Sequence, residues 1–172
     1  EGRFEKIDRE AFDDGWDQPE EELPPLKTYV TEERVKSIIS RNDSPDIPFT
    51  QSINPYAGCE HGCIYCFARP THAYRNLSPG IDFETRLFAR VNAAEKLREE
   101  LAKPGYRCEV ISLGANTDPY QPIERGLKIT RGILEVCAEF NQPVGIVTKN
   151  AMVERDLDIL APMAQKNLVN VF

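Results

Sequence analysis

The sequence contains no apolar run approaching the ~18 residues that a bilayer span requires, and no charged-then-apolar opening of the secretory kind. A protein that works in water, in the cytoplasm and without a membrane partner, is the expectation. Clustered lysine-arginine runs are also missing, so the chain lacks the basic face that displaces counterions from duplex DNA. Its formal charge is −7, and the excess is local: residues 1–50 hold 14 acids and 7 bases, whereas residues 51–172 hold 14 of each. Cysteine is scarce, with five in 172 residues, an odd number with three crowded into one stretch. That distribution excludes a disulfide framework and points to a compartment where thiols stay reduced.

The three crowded cysteines are Cys59, Cys63 and Cys66, in the run GCEHGCIYCF over 58–67. Soft metals and iron-sulfur clusters select thiolates, and glycines at Gly58 and Gly62 let so short a loop turn its sulfurs to one side. Three thiolates on a 4Fe-4S cluster leave one iron without a protein ligand, where an outside molecule can coordinate. Two plainer readings stand beside this one. A closed zinc site would take the three sulfurs and one histidine; His61 lies inside the loop and is poorly placed, while His72, six residues beyond Cys66, is better placed. Cys63 and Cys66 alone have the spacing of a redox dithiol, which leaves Cys59 without a role.

The chain divides into an acidic N-terminal extension, 1–48, and an α/β domain, 49–172. The extension carries Asp13, Asp14, Glu20, Glu21, Glu22, Pro24 and Pro25 and reads as mostly irregular, with one short helix over 31–40 capped by Thr31. From residue 49 onward short β-rich runs alternate with helical ones, the pattern of βα units around a parallel sheet. Strands are predicted over 52–56, 108–113, 144–148 and 168–172. Helices are predicted over 93–103, with Asn92 and Glu95 as a capping box, from the loop 114–124 to about residue 140, and after residue 150, where Pro162 should kink or stop the last one. Leu127, Leu134 and Cys137 fall on a buried helix side, as do Val153, Leu157 and Leu160. Cys108 and Cys137 read as small core residues.

The cysteine spacing, with Tyr65 before the last cysteine, resembles the signature of the radical S-adenosylmethionine enzymes. The flanking text NPYAGC over 54–59, the run GANTDPYQPIE over 114–124 and Val147-Thr148-Lys149 look like the photolyase-like subgroup related to spore photoproduct lyase. The resemblance covers about 49–172. It implies a 4Fe-4S cluster on Cys59, Cys63 and Cys66 whose open iron binds S-adenosylmethionine, and reductive cleavage to a 5′-deoxyadenosyl radical that acts on an unknown substrate. It also implies an electron donor such as flavodoxin or ferredoxin. Nucleic acid enters only through the subgroup label, and the charge distribution does not support it. The implied fold is a partial (β/α) barrel of six parallel strands, of which about four are present here, so the chain is expected to be a truncated piece of a longer protein.

In parallel βα folds reactive groups gather at the C-terminal ends of the strands. The cysteine loop, Asn116-Thr117-Asp118 and Thr148-Lys149-Asn150 all fall at such positions. By the resemblance Tyr65 would lie against the adenine, and Asn116, Thr117 and Asp118 near the methionine amino group. Lys149 would face the cofactor's carboxylate or a substrate anion, and Asn150 stands where relatives commonly carry serine. Taken alone, Asn116 to Pro119 is an ordinary turn, Tyr65 a half-buried aromatic and Lys149 a solvated charge. Glu124 is either a second acceptor or a helix-start acid. No residue is identified as the one that returns a hydrogen, and Cys108 and Cys137 are only formal candidates.

Overall fold

The computed structural model describes residues 27–172. The acidic runs at Asp13, Asp14 and Glu20 to Glu22 lie outside the described residues. The larger of two sheets has five strands: β2 (Ser40–Arg41), β3 (Gln51–Ile53), β6 (Ile111–Leu113), β7 (Val144–Ile146) and β8 (Val169–Val171), in that order. β3, β6, β7 and β8 are parallel and β2 runs antiparallel on the edge. The sheet is open, and the predicted strands are each shorter than expected, though all four exist.

Registry explains how these strands divide their faces. Ile53, Leu113, Ile146 and Val171 align across the sheet, while Ser52, Ser112, Gly145 and Asn170 align in the neighbouring row, with Ser40 continuing it on β2. Side chains alternate faces along a strand, so one row faces apolar partners and the next is small and polar. The apolar face packs on α2 (Ala93–Leu101), α4 (Ile129–Phe140) and α5 (Leu157–Gln165), with Leu97, Ile133, Leu134, Cys137, Leu160 and Met163 in the same core. Each such side chain contributes roughly 1.5–3 kcal/mol by leaving water.

A second sheet was not anticipated. It joins β1 (Tyr29–Glu33), β5 (Arg86–Arg90) and β4 (Tyr56–Ala57) in the order β1-β5-β4. The helix expected over 31–40 is therefore replaced by a strand and an irregular stretch. Arg34 stands where a capping box needs an acid, whereas Val30 and Thr31 suit a strand and pair with Leu87 and Phe88. The irregular stretch is anchored from afar: Val35 N donates to Asn92 Oδ1 at 2.9 Å and Ile38 N to Glu100 Oε1 at 2.6 Å. Asn92 thus serves Val35 instead of capping α2, and the expected capping box does not form.

Other boundaries shift for local reasons. The first predicted strand splits into β3 and β4 at Asn54-Pro55, because proline has no N–H for the ladder. The helix predicted to follow the 114–124 loop is two: α3 (Glu124–Leu127) ends at left-handed Lys128 (φ 53°) and α4 begins beyond it. Pro162 does not end α5; it sits on the exposed side, where water can take the carbonyl it leaves unbonded. Val153 precedes α5, in a 3-10 turn, and Leu157 is exposed instead of buried. Cys108 is exposed, contrary to the expected core position, while Cys137 is fully buried. No helix among the described residues is long and apolar enough to cross a membrane.

Candidate functional site

The cysteine loop leaves β4 through Gly58 (φ +79°) and turns again at Gly62 (φ +60°). Position 58 admits no side chain: a Cβ there would lie 2.7 Å from Leu87 Cδ2 and 2.9 Å from both His72 Cε1 and Phe83 O. The loop is pinned through its backbone. Cys59 N donates to Phe83 O at 2.9 Å, and Arg69, paired with Glu84, donates from Nε to Cys63 O at 3.0 Å. Gln121 closes the clamp: fully buried, it donates from Nε2 to Gly58 O at 3.1 Å and accepts from Glu60 N at 3.2 Å, straddling Cys59.

Facing this wall is the loop after β6, turned by Gly114 (φ +89°), where a Cβ would lie 2.5 Å from Pro119 Cδ. Asp118 knits three segments together. Its Oδ1 accepts from Thr148 Oγ1 at 2.6 Å and Tyr120 N at 2.9 Å, and its Oδ2 from Lys149 N at 3.0 Å. His61 Nε2 lies 3.3 Å from the same Oδ2, without the alignment of a hydrogen bond. Burial pulls the Asp118 carboxyl upward, but its contacts with His61, Thr148, Lys149 and Tyr120 outweigh it and hold the carboxyl below the usual range.

Between the walls is a cavity of about 310 Å3 lined by Cys59, Cys63 and Cys66 on one side and by Asn116, Asp118 and Lys149 on the other. All three cysteines are free thiols; Cys59 is buried and the other two are partly exposed. Burial pushes the Cys59 thiol up to about 11, so without a metal it is protonated near neutrality. Lys149 Nζ donates to Cys63 Sγ at 2.8 Å and to Tyr65 Oη at 3.1 Å, and these bonds raise its own affinity for protons. Tyr65 is 79% exposed and, with Phe67 and Val147, supplies an apolar rim. Among the described residues no three His, Cys, Asp or Glu side chains converge tightly enough to hold a single metal ion.

The expected site residues separate into two groups. Cys59, Cys63, Cys66, Tyr65, Asn116, Asp118 and Lys149 come together around the cavity, while Thr117 does not line it. Thr117 is buried and donates from its hydroxyl to Tyr56 O at 2.9 Å, because consecutive residues of a tight turn point apart. Asn150 caps the following 3-10 turn, accepting from Met152 N. Glu124 is a helix-start acid, the first residue of α3, and does not line the cavity; fully buried, it bonds the Tyr56 hydroxyl, Thr130 N and Arg155. Neither Cys108 nor Cys137 lines the cavity. His72 lies behind the loop, its Nε2 donating to Arg86 O at 2.9 Å, so His61 is the histidine that faces the cysteines.

Sequence reasoning missed Gln121, Asn54 and a buried ionic group. Asn54 Oδ1 accepts from Asn116 N at 2.8 Å, fixing the polar loop against the end of β3. Asp156, fully buried, bonds the Tyr120 hydroxyl at 3.1 Å and the guanidiniums of Arg131 and Arg155 at 2.9 and 2.7 Å. Burial raises its carboxyl, and Arg155 and Arg131 more than reverse this. Apart from Arg155, which adjoins Asp156, the partners named here lie 25 to 63 residues away along the chain, so no local pattern marked these residues; the only signal, for Gln121, was the density of polar residues in 114–124.

No family model matches the chain, and no solved structure matches it. It is similar to uncharacterized proteins of Mycobacterium tuberculosis and Mycobacterium bovis, 44% identical over 125 residues, which is 73% of this chain and 37% of each relative. It is also similar to an uncharacterized protein of Methanocaldococcus jannaschii, 29% identical over 107 residues, 62% of this chain and 38% of that protein. The chain thus spans little more than a third of the length of the curated relatives it matches.

Proposed function

We propose that this chain is the cluster-bearing part of a radical S-adenosylmethionine enzyme, built on a partial (β/α) barrel of which β3, β6, β7 and β8 are the first four parallel strands. The observation that carries the reading is the shared cavity. Three free thiols from one loop form one wall, and Asn116, Asp118 and Lys149, from the ends of the next two parallel strands, form the other. The residues fit the group. A four-iron cube takes its thiolates on separate irons, so it asks for a wall of sulfurs and less convergence than a single tetrahedral ion does. When bound, the cluster would supply one electron to the sulfonium of S-adenosylmethionine, giving methionine and a 5′-deoxyadenosyl radical.

The chain's own residues would do the holding. Cys59, Cys63 and Cys66 are the ligands, and Lys149, already on Cys63, offsets their negative charge and offers a cation to a carboxylate at the same edge. Asn116 has its backbone fixed by Asn54, leaving its side chain for the amino acid part of the cofactor. Tyr65 offers a flat face to the adenine, and Phe67 and Val147 exclude water. Asp118 orients Lys149 through its backbone N–H. A one-electron donor of the flavodoxin or ferredoxin kind, in a reducing cytoplasm, completes the proposal.

Reconstitution under nitrogen tests it. Brown protein with about four irons and four sulfides per chain is expected, and its reduced spectrum should change on adding S-adenosylmethionine. Colourless protein with a single zinc, or a cluster whose spectrum ignores the sulfonium, would overturn the proposal.

A further inference from the structure

Next to the cysteine cavity, and sharing Asn116 with it, lies a second cavity of about 340 Å3. It is bounded by β2, the end of β3, the 3-10 helix Arg69–Arg75 and β5, and it opens on the sheet face that carries the row of small polar residues. Its volume suits a small-molecule ligand, which commonly occupies ~300–1,000 Å3. Its chemistry differs from that of its neighbour. Ser40, Thr71, Tyr74, Arg75, Arg90 and Asn116 present hydroxyls, an amide and two guanidiniums, and no carboxylate lines it.

The two arginines are fixed in place. Glu33 accepts from both terminal nitrogens of Arg75 at 2.9 and 3.0 Å and from Arg90 Nε at 3.3 Å. Arg75 also stacks 3.9 Å over the Phe88 ring, and Arg90 donates from Nη1 to Asn54 O at 2.8 Å. One carboxylate thus serves two cations, leaving one positive charge uncompensated in a chain whose formal charge is −7. Ion pairs that only brace a fold tend toward neutrality, because a buried excess charge is costly to hold. Among the described residues the hydroxyls of Ser40 and Tyr74 bond no protein group, and Tyr74 is 91% exposed.

We infer that this second cavity binds a single oxyanion group of the substrate, a carboxylate or a phosphate monoester, and so holds the substrate beside the reaction centre. The inference rests on the proposed reading of the cysteine cavity only for the word substrate; anion binding itself needs neither cluster nor sulfonium. The guanidinium N–H groups that Glu33 and Asn54 O leave over can donate to an oxyanion, and no carboxylate lines the cavity itself. Asn116, which lines both cavities, is the link between the bound group and the cleaved cofactor.

The test is an anion titration of the full metal-free chain, labelled with 15N and followed by NMR at constant ionic strength, with inorganic phosphate in one arm and acetate in the other. Saturable shifts at Arg75, Arg90 and Asn116 are expected in at least one arm, and the stronger arm identifies the oxyanion. Arg75→Gln should weaken binding roughly tenfold and Tyr74→Phe roughly threefold. Tyr74 is exposed, so its variant keeps the fold, and it decides the matter if Arg75→Gln unfolds. Absence of saturation in both arms, or affinity unchanged in Tyr74→Phe and in folded Arg75→Gln, overturns the inference. Anion binding by a chain that takes up no cluster would instead sink only the proposed radical activity.

Discussion

The helical layer behind the large sheet and the cysteine wall in front of it are held together by different forces. Behind the sheet, Ile133, Leu134 and Cys137 of α4 meet Ile111, Leu113 and Ile146, and stability comes from apolar area removed from water, which has no preferred direction. Around the cysteines, the loop is held by Gln121, Arg69 and the Phe83 carbonyl, each through a directed bond to backbone. A non-directional core accepts an exchange of similar volume, whereas a directed clamp does not accept a change of atom. The proposed role of the loop, to present three sulfurs in a set arrangement, would be served by the second kind of support.

The contrast breaks most visibly in the core. Leu134→Ala should cost about 2–5 kcal/mol, read as a lowered urea midpoint, while Leu134→Met stays within about 1.5 kcal/mol. Acid should act next, through the ionic group beside the site. Asp118 and Asp156 have native carboxyls held below the ordinary 3.8, so their contribution is complete above that value and is lost as pH falls through the lower native ones. Unfolding midpoints should therefore drop steeply as pH falls below about 4, and Asp156→Asn should flatten that dependence while lowering stability at pH 7 by roughly 1–3 kcal/mol.

Gln121→Leu sharpens the comparison, because it keeps bulk and removes both directed bonds. The expected cost is roughly 1–3 kcal/mol, with faster alkylation of Cys59 in the metal-free chain, followed by peptide mass mapping, and unchanged protection of Cys137. Unchanged Cys59 reactivity would show that the clamp does not govern the loop. Smallest of all, Cys63→Ala should alter the unfolding free energy from urea titration by less than about 0.5 kcal/mol, since the side chain is partly exposed, yet abolish the proposed cluster uptake.

Much of the fold was readable where a pattern repeats. Alternation and helical spacing gave the four parallel strands and the helices α2, α4 and α5, and the close spacing of three thiols named the candidate ligands. The small sheet was not read, because β1 and β5 are separated by more than fifty residues and β1 exposes most of its side chains, leaving no buried alternation to detect. Gln121, Asn54 and Asp156 escaped for a similar reason: a buried amide or carboxylate has no local signature when, the adjacent Arg155 of Asp156 aside, the partners named for it lie 25 to 63 residues away.

The order of the residues alone determined that three sulfurs lie on one glycine-flanked turn and that apolar side chains recur with the periods of strand and helix, because both depend only on neighbours along the chain. Folding in three dimensions decided which polar residues meet those sulfurs, that Thr117 turns away while Lys149 arrives, and that two arginines share one glutamate beside them. Those outcomes depend on contacts between distant segments, where packing and directed bonds select one partner among many that the local sequence permits equally.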